Sequence, residues 1–216
     1  MFNTLFVRKS MMWLGISLAL LSNVPAIADA APRIKLLEAG WEQPTAVDLR
    51  QNLKQMENTP FDGFMLMLRG RDDAGRLILM TNAFSDVPWK LSWFQSSIDD
   101  LKAAQSSRLT DNFIRLNSNP ANVDWFDDAG WKEIINHWRI AAEVVKQTGL
   151  KGIMLDTEHY TPGASQYDYA AQPQRDQHTF EQYQEKARQR GRELISAVAQ
   201  VDPKMTLFTF FMLTEA

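Results

Sequence analysis

Asp156 and Glu158 are the residues whose type and spacing most directly suggest chemistry. They fall in the run GLKGIMLDTEHY, residues 149–160, where an apolar segment ends in two carboxylates two positions apart. Side chains alternate along a strand, so positions 156 and 158 share a face. Neighbouring carboxyls can divide acid–base work, one ionised and the other carrying the proton that a leaving group needs. Such a division is how a glutamate, here Glu158, becomes a general acid near neutral pH. Two solvated loop acids, or Asp156 capping a local turn, are the alternative.

The elements around this pair set where it sits. Apolar, strand-like runs fall at 33–41, 64–68, 112–117, 151–155 and 204–213. Between them lie segments of helical period. The first covers 46–56 behind Thr45 as a cap, and the second covers 92–107. A third, long helix starts at Asp127 or Asp128, runs through Lys146 and stops at Gly149. The last is capped by Thr179, covers 179–201 and ends at Asp202 and Pro203. Strands alternating with helices call for a parallel sheet with right-handed crossovers.

The expected fold is α/β: a partial (β/α)8 TIM-type barrel with parallel strands and about five β/α units. A doubly wound dinucleotide fold would want a G-x-G-x-x-G turn after the first strand. Residues 39–42 read AGWE instead, and no Walker A motif occurs. At this spacing a complete barrel needs about three more β/α units. The expectation is a truncated chain, residues 31–216 being the N-terminal part of the barrel domain. A complete five-stranded α/β domain is the other reading.

The fourth strand resembles the D-G-x-D-x-D-x-E motif of chitinase-like, family-18-type glycoside hydrolases. Gly152, Asp156 and Glu158 match it, while Lys151 and Met154 stand where the motif has its first two aspartates. The match spans about ten residues. A broader similarity runs to (β/α)8 glycosidases with an acid/base glutamate after strand four. Many of those have Asn before the glutamate, where this chain has Thr157. The resemblance implies an exported hydrolase of glycosidic bonds in a polysaccharide or glycoconjugate, with Glu158 as acid. Asp156 would orient it or position the substrate. The second carboxylate of such enzymes often comes from a later strand.

Substrate-binding candidates lie where strands end. Glu38 and Trp41 follow the first strand and Arg69 the second. Arg115, Asn117 and Asn119 share a face of the third. Trp125 falls in a βα loop; His159 and Tyr160 follow Glu158. Indoles stack on sugar faces and also fill cores. Trp131 and Trp138, seven apart on a helix, read as packing. Residues 69–80 read as a hairpin on the same rim, and 161–178 as a long loop of the kind that covers binding sites. The histidines show no H-x-x-x-H or H-E-x-x-H spacing, so no metal or other cofactor is expected.

Composition narrows the class further. Of 216 residues, 45% are hydrophobic and 23% charged, which fits an ordinary globular protein. The net charge of −3 and the absence of a basic run argue against nucleic-acid binding. With no cysteine there are no disulfides, thiolate metal sites or lipid-acylated cysteine. Residues 1–30 read as a secretory signal peptide: Arg8 and Lys9, an apolar core at 11–21, then small residues up to Ala30. The expected location is periplasmic or extracellular, without stable membrane insertion after cleavage. The expected partner is carbohydrate. A non-catalytic carbohydrate-binding barrel and an inactive truncated product are the rival readings.

Overall fold

The central apolar runs, at 64–68, 112–117 and 151–155, become strands because their side chains are largely buried on both sides of one parallel sheet. A computed structural model of the chain describes residues 33–158, 160–162 and 165–210. The expected signal peptide, His159 and the end of the fifth apolar run at 211–213 lie outside the described residues. From Lys35 onward the chain forms one unit. Its elements are β1 (Leu37–Glu38), α1 (Ala46–Glu57), β2 (Gly63–Leu66), β3 (Arg69–Arg71), β4 (Leu77–Leu79), β5 (Asn82–Phe84), α2 (Gln95–Ala103), β6 (Phe113–Pro120), α3 (Asp128–Thr148), β7 (Gly152–Asp156), α4 (Phe180–Val201) and β8 (Thr206–Thr209).

The main sheet runs β1-β2-β6-β7-β8, with every neighbouring pair parallel. It curls into a half-barrel of five strands. The expected parallel α/β sheet is thus present, while the described residues do not form a full (β/α)8 barrel. Strand β6 is the longest and needs two partners on one side. β2 pairs with its first half, Met65 opposite Phe113. The chain then leaves through the β3–β4 hairpin, with Gly70 opposite Ile78, and returns as β5, with Phe84 opposite Pro120. The strand expected at 64–68 is thus continued along β6 by a second short piece.

Alternation sorts the side chains into two layers. Ile114, Leu116 and Ile153 face the helices and pack with Ile98, Leu101, Trp131, Ile134, Val145 and Val198. Each fully buried aliphatic side chain contributes about 1.5–3 kcal/mol. Met65, Phe113 and Met154 face the concave side with Leu37, Phe208 and Phe210. Gly152 is required there, because a Cβ would overlap the Thr206 carbonyl of the adjoining strand.

Helix ends follow the expected residues. Thr45 accepts from Asp48 N and Thr179 from Gln182 N, each in a reciprocal capping box. The Asp127 side chain accepts from Ala129 N and Gly130 N at the start of α3. Gly149 ends α3 at φ 71°, a left-handed turn that glycine adopts without strain. The segment expected as helix from 92 begins as a 3-10 turn, Leu91–Phe94, before α2.

Candidate functional site

Asp156 ends β7 and stands in register with Asn117 of β6, while Arg115 stands opposite Met154. All four side chains leave the sheet on the concave face. The Arg115 guanidinium reaches forward and pairs through Nη2 with Asp156 Oδ2. The arginine side chain is 16% exposed and the aspartate 1%. Nη1 of Arg115 donates to Gln43 Oε1 at 3.0 Å, which ties the loop after β1 to the centre of the sheet. The second Asp156 oxygen accepts from the backbone N–H of Glu158 at 2.9 Å. A buried carboxyl held by a guanidinium and a backbone donor is fixed in one orientation.

Tyr160 completes the group. Its hydroxyl lies 3.0 Å from Asp156 Oδ2, contacts Glu158 Oε2 directly and accepts from Arg115 Nη2 at 3.3 Å. One phenol therefore bridges both carboxyls. Burial, then the hydrogen bonds to Glu158 and Asp156, push its ionisation well above the usual tyrosine range. Glu158 is exposed and is the carboxyl that faces solvent.

These residues line a cleft of about 190 Å³ with Ala39, Gly40, Trp41, Gln43 and Phe210. The cleft lies at the C-terminal ends of β1, β6, β7 and β8, the side on which parallel α/β folds carry their sites. Trp41 is 90% exposed at its rim and meets the Tyr160 ring edge-on, with centroids 6.5 Å apart. A larger cavity, about 480 Å³, lies on the helical face between Leu155, Trp131 and α4. Its walls are almost wholly apolar and aromatic, without paired carboxylates, so the acid–base groups single out the smaller cleft.

Of the residues singled out in the sequence, Asp156, Glu158, Tyr160 and Trp41 come together in the cleft. Asn117 is buried beside Asp156, and Asn119 Oδ1 accepts from Tyr160 N at 3.2 Å. Glu38, Arg69 and Trp125 lie elsewhere. Glu38 folds back, accepting from Gly40 N at 2.5 Å. Arg69 begins the hairpin and is exposed. Trp125 is a core residue on the helical face, stacked on Trp131 and donating from Nε1 to Gln166 O at 2.8 Å. Gln43 is the cleft residue that sequence reasoning missed. It stands between Glu42 and Pro44 and carries no motif.

Among the described residues, no group of three or more His, Asp or Glu could hold a metal ion. No helix there is long and apolar enough to cross a membrane. No protein-family model, curated protein or solved structure matches the chain.

Proposed function

We propose that the chain is an exported, glycoside hydrolase-like protein of the TIM-barrel type, cleaving glycosidic bonds in a polysaccharide or glycoconjugate. The observation that carries this reading is the division between the two carboxyls at the end of β7. Asp156 is buried and neutralised by Arg115. Glu158 is exposed in the cleft, with one oxygen on the Tyr160 hydroxyl. Asp156 then acts as the positioning anion, holding Glu158 N and the phenol. In this reading Glu158, the solvent-facing carboxyl, gives a proton to a glycosidic oxygen. Trp41 supplies an exposed indole on which a sugar ring stacks.

The test is hydrolysis of a panel of soluble polysaccharides by the native protein and by Glu158→Gln. The expected result is release of reducing ends by the native protein and its loss in the folded variant. Equal activity in both would remove Glu158 from the mechanism.

A non-catalytic carbohydrate-binding role is the second reading. It is favoured by the hydrogen bonds that already engage both carboxyls within the protein. Binding without product release, unchanged in Glu158→Gln, would select it.

A further inference from the structure

Asn117 is 1% exposed, yet among the described residues neither its Nδ2 nor its Oδ1 has a hydrogen-bond partner. Buried side-chain amides are nearly always satisfied, because an orphaned polar group loses its water and gains nothing in return. The position of this amide is informative. Asn117 stands in register with Asp156. Two residues before it Arg115 lines the cleft, and two residues after it Asn119 accepts from Tyr160 N. Asn117 does not itself line the cleft, but it shares the concave face of the sheet with Arg115 and Asp156, which do. Arg115 Nε, on the same face of β6, is a second buried donor without a partner. One donor–acceptor pair and one further donor therefore go without a partner on this face of β6.

We infer that Asn117 is a ligand-binding residue whose amide receives a hydroxyl of a neutral sugar unit, donating from Nδ2 and accepting at Oδ1. This rests on the carbohydrate reading above and names the substrate class within it. A hydroxyl is the simplest group that both donates and accepts through one atom. Neutrality follows from the charges. Arg115 is the one cation among the described lining residues and is committed to Asp156. A carboxylated or sulfated sugar would find no free cation there and would face Asp156 and Glu158. In the unliganded cleft the Tyr160 hydroxyl sits on Arg115, Asp156 and Glu158. Tyr160 is 45% exposed, and it must turn outward for a ligand hydroxyl to reach Asn117.

The experiment compares the native full chain with Asn117→Leu and Asn117→Asp. Thermal unfolding without ligand is measured first. Calorimetric titration follows with neutral xylo-, gluco- and manno-oligosaccharides and with an acidic uronate oligomer. Asn117→Leu removes the amide at similar volume. If the amide is kept for a ligand, the Leu variant unfolds at the same or a higher temperature. It also binds the neutral sugar at least about tenfold more weakly. Asn117→Asp, which loses the donor, also binds more weakly, and the uronate binds poorly to all three. Unchanged affinity in either variant, or a lowered unfolding temperature for Asn117→Leu, overturns the inference and leaves the carbohydrate reading standing. A native protein that binds none of the sugars overturns both.

Discussion

Arg115 and Asp156 stand on adjoining strands two register positions apart and pair across the concave face of the sheet, almost out of contact with solvent. Removing one partner leaves the other as an uncompensated buried charge, which costs about 3–5 kcal/mol. Arg115→Met and Asp156→Asn should each destabilise by roughly that much. The double variant should lose clearly less than the sum. Urea unfolding of the four proteins measures this; additive losses would show that the two groups do not act as a pair.

Tyrosine ionisation reports on the same cluster. Burial and carboxyl partners hold Tyr160 and Tyr183 above the normal range, and burial raises Tyr167. At roughly pH 11 a free tyrosine is mostly ionised, whereas these three should ionise later in an ultraviolet titration. Over that window the folded chain holds protons that the unfolded chain has lost. The stability they contribute is therefore complete below about pH 10 and falls as pH rises further. The Asp156→Asn, Glu158→Gln double variant should bring one tyrosine back toward the ordinary range.

His137 gives the opposite limb. It is fully buried in α3 and stacked on Trp89. Its ring nitrogens lie 2.9 Å from Ala83 O and 2.8 Å from Val87 O. Burial lowers its ionisation; the two carbonyls and the Glu133 charge act against that without reversing it. The unfolded chain takes up this proton near pH 6.5 and the folded chain only at lower pH. Stability should therefore fall as pH drops below about 6.5. An NMR titration of the imidazole checks the premise; protonation above that value would contradict it.

Gly152→Ala tests how tightly β8 is seated. The added Cβ would overlap the Thr206 carbonyl, so the β7–β8 ladder must shift. A loss of about 1–3 kcal/mol is expected, with faster amide exchange at residues 206–209 than elsewhere in the sheet. Uniform exchange with unchanged stability would show that the strands can move apart freely.

The order of elements was legible because apolar runs and helical periods differ in kind, and because Thr45, Asp127, Gly149 and Thr179 are strong end signals. β5 was not legible: residues 81–88, TNAFSDVP, carry turn residues, and Asn82 to Phe84 become strand only because β6 outlasts β2. Asp156 and Glu158 both line the cleft, but β7 ends at Asp156, so it is the Tyr160 hydroxyl and not strand alternation that links them. The Arg115 contact was not legible either, since it depends on the register of β6 against β7. Trp125 shows the limit of reading rings: the same indole suits a sugar or a core, and here Trp131 takes it.

The central claim is that Glu158 gives a proton to the leaving oxygen. The most direct test compares Glu158→Gln with the native protein on two glycosides of the same sugar. One carries an alcohol leaving group and the other dinitrophenol, which departs without a proton. The account predicts that the variant loses about 10²–10⁴-fold on the alcohol glycoside and far less on the dinitrophenyl one. Equal losses on both substrates, or none on either, would contradict it.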